Sequence, residues 1–510
     1  MKKIVNTTLR LYLKTRYNKI EYNIAHPKII QADLLENLLY IASDTSYGRR
    51  HDFAGIDSYE KYQKKVPLVD YDDLKPFIER MMLGERDVLW PGQVKWYAKS
   101  SGTTSDRSKF IPVSKQNLKD CHINGSWDTV AILYHNLPEA KIFEYKNLII
   151  GGTVFDYEPF PDTKYGDVSA IMIHEMPFIG RPFYVPDFET AFMKEWEEKI
   201  ERIAQMAAAE TDITSIGGVP TWNIVLFHRI LEITGKKHLL EVWPNLQVYV
   251  HGGVNFEPYR AQFRSFIPKD DFIYQETYNA SEGYFATQND YHSKDMLLLV
   301  DNGVFYEFIQ IHHVNDAAPE AIPLDGVDMD VDYAMVISTS SGLWRYMLGD
   351  TIRFTSLDPY KIMITGRTKH FINAFGEEVM VSNTDQAISM ACQDTDVKIR
   401  DYTVAPVYFT EGGKGGHEWL IEFEKPAENL EIFADVLDTK LQLVNSDYQA
   451  KRYRDMALRR LQITSLPKGA FQDWLKQRGR QGAQIKVPRL SNDRTVVEDI
   501  LQMTSKTAAV

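Results

Sequence analysis

The sequence predicts an α/β fold in which a large N-terminal domain is followed by a smaller, mobile α+β domain. The chain has 510 residues, of which 44% are hydrophobic and 25% charged, a balance typical of a protein with a large core. Between about residues 94 and 375, short apolar runs end in turns rich in glycine, serine or threonine, and helical stretches lie between them. Strands that alternate with helices favour an α/β core whose functional loops lie at the strand ends.

Three apolar runs in the first part are interpreted as strands that lead into functional loops. These runs are 94–98 before Lys99-Ser100-Ser101-Gly102, 148–150 before Gly151-Gly152, and 246–250 before His251-Gly252-Gly253. Apolar residues recur at three- and four-residue spacing through 193–209, and this spacing predicts a helix.

The pattern changes from about residue 401. Apolar segments 403–409 and 419–423 flank Glu411-Gly412-Gly413-Lys414-Gly415-Gly416 and predict a hairpin. Helical segments at about 427–445 and 447–460 follow, and 461–465 is expected to return as a strand. We therefore expect a large domain over residues 1–370 and a small domain over 371–510, with a hinge at about 366–385.

Composition excludes several classes of protein. No apolar run approaches the ~20 residues of a membrane-spanning helix, and the two cysteines, Cys121 and Cys392, have no metal-ligand spacing. We therefore expect a cytoplasmic protein that has no membrane partner. Residues 451–489 carry 11 basic and 2 acidic side chains. This excess of positive charge is interpreted either as a phosphate-binding surface or as a solvated helix face. The net charge of −12 and the lack of an interleaved aromatic and basic platform argue against nucleic acid as a partner.

The strongest local signal is the loop Ser100-Ser101-Gly102-Thr103-Thr104-Ser105-Asp106-Arg107-Ser108-Lys109, which lies between a predicted strand and a helix that Ser114 can cap. Small hydroxyl residues around a glycine let backbone N–H and side-chain O–H groups converge on an anion, and a lysine adds a mobile positive charge. The loop is not a Walker phosphate loop, because the chain contains no Gly-x-x-x-x-Gly-Lys-Ser/Thr pattern. From these residues alone, a phosphate-binding loop and a plain turn both remain open.

Five motifs in order resemble those of a known family. The loop with Lys109 and Ile111-Pro112 resembles the phosphate loop of the adenylate-forming ligases and, more narrowly, of the auxin-responsive (Gretchen Hagen) acyl acid amidosynthetases. Four further segments are similar to later motifs of that family: Tyr278-Asn279-Ala280-Ser281-Glu282-Gly283, Arg345-Tyr346-Met347-Leu348-Gly349-Asp350, Gly366-Arg367-Thr368-Lys369 and Gln484-Ile485-Lys486-Val487-Pro488-Arg489.

The resemblance implies an enzyme that binds ATP and Mg²⁺ and activates a carboxylic acid as an acyl-AMP. It assigns nucleotide binding to Ser100, Ser101, Gly102, Thr103, Thr104, Gly252, Gly253, Tyr278, Ser281, Glu282, Asp350 and Arg367. Within this set, Glu282 is the implied Mg²⁺ ligand, because Mg²⁺ prefers carboxylate, water and phosphate oxygens. Tyr278 offers a flat face to adenine, and Asp350 is implied to accept the ribose hydroxyls.

Three lysines receive roles outside direct recognition of the base and ribose. The resemblance makes Lys486 the catalytic lysine that reaches the α-phosphate, together with Lys109 of the phosphate loop, and it places the hinge at Lys369. A flexible ammonium group suits charge that develops in a transition state. Outside the family context, a solvated surface lysine is the other interpretation of Lys486.

The acyl pocket is the least defined part of the predicted site. The segment 215–222 and the nearby Phe227 and His228 are candidates to line an aromatic cavity, with Val219 and Trp222 as expected contacts of the acid. Core packing is the competing interpretation for these aromatic residues.

The leading hypothesis is therefore a ligase that forms acyl-AMP from an acid and ATP and then transfers the acyl group to an amine, expected to be that of an amino acid. Two alternatives remain open: an acyl-CoA-forming ligase that shares the adenylation step, and a nucleotide-binding protein without catalysis. The expected partners are small carboxylic acids and amines.

Overall fold

The computed structural model describes two compact units. It covers residues 2–100, 109–176, 180–253, 256–368, 371–372, 379–408, 415–445, 448–449, 452, 458–478, 486–491 and 493–507. The first unit comprises Met1–Gly253 and Ile267–Met363, and the second comprises Val254–Phe266 and Ile364–Val510. The chain therefore passes between the units three times, and a short segment from the middle of the sequence belongs with the C-terminal part.

The α-helices of the first unit are numbered in chain order. They are α1 Lys2–Ala25, α2 Pro27–Ala42, α3 Ser46–Arg50, α4 Tyr59–Lys65, α5 Tyr71–Met82, α6 Lys115–Asn117, α7 Asn124–Asn136, α8 Val168–His174, α9 Phe188–Ala191, α10 Trp196–Ala209 and α11 Pro220–Thr234. The second unit contains α12 Arg260–Phe266, α13 Val381–Thr395, α14 Leu430–Val444, α15 Ala470–Gln477 and α16 Thr495–Thr507. None of the helices in the described ranges has both the length and the apolarity that crossing a bilayer requires.

The strands are numbered in chain order. They are β1 Trp96–Ser100, β2 Lys109–Val113, β3 Lys146–Ile149, β4 Val154–Asp156, β5 Lys164–Gly166, β6 Tyr184–Val185, β7 Ile213–Gly217, β8 Val248–Gly252, β9 Ile273–Asn279, β10 Tyr284–Thr287, β11 Met296–Leu298, β12 Val304–Gln310, β13 Ile322–Pro323, β14 Asp332–Thr339, β15 Tyr346–Leu357, β16 Tyr360–Arg367, β17 Phe371–Ile372, β18 Val379–Met380, β19 Lys398–Tyr408, β20 Gly415–Lys425 and β21 Gln462–Leu466.

The main sheet combines a parallel half with an antiparallel half. Among the described residues its strands follow the order β13-β12-β14-β15-β16-β11-β10-β9-β8-β7-β3-β6. Strands β6, β3, β7, β8 and β9 run parallel, whereas β9, β10, β11 and β16 alternate in direction. A smaller sheet in the order β2-β1-β5-β4 carries the predicted phosphate loop between β1 and β2. The predicted α/β fold is confirmed.

Apolar burial explains why these segments form a core. The antiparallel strands bury residues on both faces, as for Phe285, Tyr306 and Ile337, which have no exposed surface. In the parallel half, α10 and α11 pack against each other, and buried Ile203 and Ala207 lie on the predicted helical stripe. Burying one large apolar side chain such as Phe285 or Ile203 contributes about 1.5–3 kcal/mol, so the sheet and its helices are held mainly by apolar contact.

The second unit has its own sheet and core. Strands β19 and β20 form the predicted hairpin, and β21 joins β20 in parallel as the expected returning strand. Helix α14 lies within the predicted segment 427–445, whereas most of 447–460 and the hairpin residues 409–414 lie outside the described residues. Trp419, Phe433 and Leu437 are fully buried in this core.

The segment 254–266 is built into the second unit by a buried tyrosine. The Tyr259 hydroxyl accepts a hydrogen bond from Arg489 at 2.8 Å, and only 1% of the Tyr259 surface is exposed. Arg489 also donates to the Tyr402 carbonyl at 2.9 Å and pairs with Asp401. The sequence predicts this segment as part of the domain over residues 1–370. The structure groups it with the C-terminal unit, because contacts distant in sequence decide its membership.

Candidate active site

Three neighbouring parallel strands end in paired glycines at one edge of the main sheet. Gly151-Gly152 follow β3 after one residue, whereas Gly217-Gly218 and Gly252-Gly253 span the ends of β7 and β8. Because β3, β7 and β8 are parallel, these pairs lie at the same edge, and β9 ends there at Asn279. In open α/β sheets, ligands bind outside the carboxyl ends of the strands. This edge is the natural place for a ligand.

The turn after β8 requires glycine for two separate reasons. A Cβ on Gly252 would lie 2.4 Å from the carbonyl oxygen of Thr277 on the adjacent strand, so no side chain fits there. Gly253 has φ = +78°, in the left-handed region that disfavours other residues. The turn therefore carries no side chain at residues 252 and 253.

A two-residue hairpin tip carries Ser281 and Glu282. The Ala280 N–H donates to the Gly283 carbonyl at 2.8 Å, and the Gly283 N–H donates back to the Ala280 carbonyl at 3.3 Å. This reciprocal pair closes the turn between β9 and β10. Glu282 is only 8% exposed, so its charge sits in a largely desolvated place. A carboxylate in such a place is suited to a cation.

Asp350 and Tyr278 are joined directly. The Tyr278 hydroxyl donates to Asp350 Oδ2 at 2.6 Å, and both side chains are buried, at 5% and 6% exposure. The Tyr278 ring packs edge-on against Phe285, with ring centroids 4.9 Å apart. Asp350 lies on β15 and Tyr278 on β9, so two motifs that are 72 positions apart meet at this hydrogen bond. It holds the tyrosine ring and orients the carboxylate.

Tyr346 lies among the same acidic groups, although the sequence analysis assigned it no role. Burial raises the pKa of Tyr346, and the charges of Glu282 and Asp350 raise it further, together with Tyr71 and Asp70. Its hydroxyl is buried and makes no hydrogen bond to any described residue. Tyr346 therefore stays a neutral, fully buried hydroxyl in the field of two carboxylates. Its place within the Arg-Tyr-x-x-Gly-Asp motif was the signal that could have identified it.

Arg345 stabilises the strand that carries Tyr346 and Asp350. Its backbone has φ = +44°, which is unusual for a residue with a side chain. The guanidinium forms a buried ion pair with Glu307 at 3.0 Å and donates to the carbonyls of Gln63 and Val66 at 3.1 and 2.9 Å. The arginine is thus engaged inside the protein. It fixes the start of β15, from which Tyr346 and Asp350 project.

The predicted phosphate loop is closed at its base by paired strands. Ser100 at the end of β1 pairs with Lys109 at the start of β2. The ammonium group of Lys109 lies over the Tyr71 ring, 5.7 Å from its centroid, and the Tyr71 hydroxyl accepts from the Phe110 N–H at 2.9 Å. The loop residues Ser101, Gly102, Thr103 and Thr104 lie outside the described residues. Tyr71 also raises the pKa of Tyr346 electrostatically.

The acyl candidates lie beyond the end of β7. Val219 and Trp222 are half-buried at the start of α11, whereas Phe227 is fully buried and belongs to the core. The Tyr249 hydroxyl donates to the Gly218 carbonyl at 2.8 Å and so fixes the turn before Val219.

A buried lysine that the sequence analysis missed supports the glycine turn after β3. Lys199 is 1% exposed, and its Nζ donates to the carbonyls of Gly151 and Gly152 at 2.7 and 2.8 Å. Burial lowers the pKa of Lys199 to about 8, although Asp167 nearby favours its charge. Lys199 lies on α10. The helical periodicity of this segment does not distinguish a buried lysine from an exposed one, so the sequence provides no sign of its role.

The remaining predicted residues belong to the second unit. Lys486 is half-buried there, and Arg367 ends β16, although its side chain is not among the described ones. Lys369, the predicted hinge residue, lies outside the described residues.

The described residues fit Mg²⁺ in the manner of a nucleotide site. In the described part of the chain, no group of three or more His, Cys, Asp or Glu side chains could hold a metal by itself. Mg²⁺ is commonly held by one or two carboxylates together with substrate phosphates and water. Glu282 is a carboxylate of this kind, and its largely desolvated setting suits a cation that arrives with the nucleotide.

Solved structures define the class of protein to which this fold belongs. The chain resembles the GH3.15 acyl acid amido synthetase in complex with 2,4-DB, with a TM-score of 0.79, 17% identity and 96% coverage of each chain. It also resembles 2-hydroxyisobutyryl-CoA ligase in the postadenylation state, with a TM-score of 0.61, 14% identity, and coverage of 94% of this chain and 92% of the ligase. The fold is that of the adenylate-forming ligases.

Family models match along most of the length. The GH3 family N-terminal domain matches residues 16–148 and 152–272, the central domain 297–367, and the C-terminal domain 382–495. The chain belongs to the GH3 family. The resemblance inferred from the five motifs is confirmed.

Named relatives extend over nearly the whole chain at low identity. Indole-3-acetic acid-amido synthetase GH3.3 of Arabidopsis thaliana is 22% identical and covers 94% of this chain and 92% of its own length. Jasmonoyl--L-amino acid synthetase GH3.5 of Oryza sativa subsp. japonica is 21% identical and covers 94% of both. The names of these relatives specify different acids, so membership of the family leaves the acid of this chain open.

Proposed function

We propose that this protein is an ATP-dependent acyl acid amido synthetase. In the first step, a carboxylate oxygen of the acid attacks the α-phosphorus of ATP, and pyrophosphate leaves with the P–O bonding pair. In the second step, an amine nitrogen attacks the acyl carbonyl carbon, AMP leaves, and the nitrogen loses a proton to give the amide. The amine is proposed to be that of an amino acid.

The observation that carries this proposal is the meeting of two family motifs in one buried place. Tyr278 on β9 bonds Asp350 on β15, and Glu282 lies on the hairpin tip that follows β9. Strand β9 pairs with β8, which ends in the glycine turn Gly252-Gly253. The names of the relatives, which are amido synthetases for two different acids, support amide formation over other uses of an acyl-AMP.

Each site residue has a proposed part in the reaction. Glu282 would hold Mg²⁺, which when bound neutralises phosphate charge. Asp350 would accept the ribose hydroxyls, and the Tyr278 ring would contact adenine. Ser281, Gly252 and Gly253 would contact the nucleotide with their backbone, together with the loop residues 100–104 and Arg367. Lys109 and Lys486 would stabilise phosphate charge, Val219 and Trp222 would contact the acid, and Lys369 would serve as the hinge.

The first test is pyrophosphate exchange into ATP over a panel of carboxylic acids. Exchange that requires one acid class demonstrates adenylation and identifies the acid. A protein that binds ATP and catalyses no exchange with any acid, under conditions in which a plant amido synthetase control is active, would contradict the proposal.

Replacing Asp350 with asparagine is expected to weaken nucleotide binding by ~10- to 100-fold. Asparagine can still accept the Tyr278 hydrogen bond but loses the charge that strengthens a bond to ribose, worth about 1.5–3 kcal/mol. Calorimetry with a non-hydrolysable ATP analogue and its 2′,3′-dideoxy form measures the effect. We expect the two analogues to differ in the parent protein and to bind alike in Asp350→Asn.

The matched control is Asp332→Asn on the neighbouring β14, whose carboxylate pairs with Arg353 at 2.7 Å outside the site. It should leave both affinities unchanged. If the analogue that keeps both ribose hydroxyls binds equally well to the parent protein and to Asp350→Asn, Asp350 does not recognise the ribose.

The second half-reaction is expected to depend on an amino acid more strongly than on coenzyme A. AMP release should rise at least ~10-fold on addition of the preferred amino acid to an active acid–ATP mixture, a difference of about 1.4 kcal/mol in barrier. Mass spectrometry should find the amide. An acyl thioester without an amide would favour the acyl-CoA ligase instead.

A further inference from the structure

A wide helical turn lies against the hairpin that carries Glu282. Residues Leu118–Ile123 form a π-helical turn between α6 and α7. A π-turn contains one more residue than an α-helical turn, which redirects the side chains around it, and such turns are frequent at functional sites. None of the five sequence motifs includes this segment, and the proposed function does not use it.

Two successive residues of this turn bind the two strands of the hairpin. The Tyr284 N–H donates to Cys121 Sγ at 3.1 Å, and His122 Nδ1 lies 3.3 Å from Asn279 Oδ1. Asn279 and Tyr284 are paired across β9 and β10. They form the cross-strand pair next to the reciprocal bonds between Ala280 and Gly283, and therefore the base of the two-residue tip.

The hairpin is fitted closely to this helical segment. A Cβ on Gly283 would lie 3.3 Å from Cys121 Sγ and 2.7 Å from the Phe285 ring. About two turns further along, on α7, Thr129 Oγ1 lies 2.6 Å from the Tyr284 hydroxyl. The tip therefore cannot shift along the helix without breaking contacts at the cysteine, the histidine and the threonine.

His122 makes this contact as a neutral ring. It is fully buried, and burial lowers its pKa to about 4 although the Asn279 hydrogen bond opposes that effect. Asn279 Oδ1 can only accept, so the single ring proton lies on Nδ1. Its Nε2 is buried and makes no hydrogen bond to any described residue. A buried polar ring that is only half satisfied costs free energy. The hydrogen bond to Asn279 offsets part of that cost.

We propose that His122 is a positioning residue for the metal–nucleotide site, acting through Asn279. The π-turn sets the height and the angle of the hairpin tip, so that the Glu282 carboxylate lies where a cation and its nucleotide require it. This inference rests on the proposed role of Glu282 in the function above. It concerns the binding of the metal–nucleotide pair and not the acid or the amine.

The test compares His122→Leu with His122→Asn. Leucine approximates the volume of the ring and removes the donor, whereas asparagine keeps an N–H near the position of Nδ1. Binding of Mn²⁺ together with a non-hydrolysable ATP analogue, followed by electron paramagnetic resonance, measures the site without requiring turnover. We expect a ~10-fold weaker Mn²⁺ affinity in His122→Leu and a change below ~3-fold in His122→Asn, with the KM of the acid unchanged in exchange assays.

A double-mutant cycle separates positioning from a loss of folding. Asn279→Ala removes the other partner without altering the π-turn and should weaken Mn²⁺ binding to a similar extent. The double variant should then be no weaker than either single variant, because both remove one contact. The control variant is Cys392→Ser, which lies in the second unit and should leave Mn²⁺ affinity unchanged.

Additive effects, or equal losses in the leucine and asparagine variants, would overturn the inference in favour of simple packing. If Asn279→Ala alone leaves Mn²⁺ affinity unchanged, the inference also fails, whether or not the leucine variant folds. Failure of the proposed function has a different signature: the parent protein would bind Mn²⁺ with the nucleotide and exchange no pyrophosphate.

Discussion

Replacing Glu282 with glutamine is expected to lower acid-dependent pyrophosphate exchange by at least ~100-fold, or about 2.7 kcal/mol of transition-state stabilisation. Glutamine keeps the size and shape of the side chain, so the tip between Ala280 and Gly283 should close as before. The negative charge is lost, and the buried position, with 8% exposure, gives water little opportunity to replace it. The defect should be reduced, without disappearing, at high Mg²⁺ concentration.

The control for this prediction is Glu85→Gln, which removes an exposed carboxylate paired with Arg80. It should leave exchange unchanged. Unchanged exchange in Glu282→Gln at both low and saturating Mg²⁺ would mean that Glu282 is not the metal ligand, and the tip would need another explanation for its buried charge.

Replacing Lys486 with alanine is expected to affect one half-reaction only. Pyrophosphate exchange should fall by ~100-fold or more, because one electrostatic contact made in the transition state is worth about 3 kcal/mol. The conversion of chemically prepared acyl-AMP to amide should continue at nearly the parent rate. The proposed contact with the α-phosphate is needed until pyrophosphate leaves, and it is not needed when the amine attacks.

The matched control is Lys468→Ala, which removes an exposed lysine of the same unit that pairs with Glu424 at 3.7 Å. It should leave both half-reactions unchanged. A parallel loss of both half-reactions in Lys486→Ala would indicate a structural lysine or one that acts throughout. If neither rate changes, the late Lys-x-Pro-Arg match carries no catalytic meaning.

Local pattern was sufficient to predict much of the fold. Strands that end in small residues, the hairpin of β19 and β20 and the strand β21 depend on alternation and turn chemistry, which neighbouring residues determine. Ser114 accepts from the Asn117 N–H at 2.9 Å and caps α6, as its position before a helical segment predicted. The motif of Tyr278 and the motif of Asp350 could be identified separately because each is contiguous in sequence.

The contacts between motifs could not be predicted in the same way. The Tyr278–Asp350 bond joins residues 72 positions apart, and the His122–Asn279 contact spans 157 positions. A π-turn has no distinctive composition, so the chain around His122 is interpreted from sequence as an ordinary helix. Arg345 was identified only as the first residue of the motif that contains Asp350. Its pairing with Glu307 depends on a residue from another strand.

The assignment of 254–266 to the second unit has a consequence for how the chain is made. Synthesis proceeds from the N-terminus, and domains generally fold as they emerge from the ribosome. Tyr259 emerges long before Arg489, its hydrogen-bond partner, so the segment that carries it has to remain without its final neighbours while 267–363 completes the first unit. The buried aromatic residues Phe256, Tyr259 and Phe263 are exposed during that interval. Residues 364–510 thus complete a unit whose first segment is translated much earlier. A ribosome that stops before residue 364 leaves an apolar segment unpaired for chaperones to recognise.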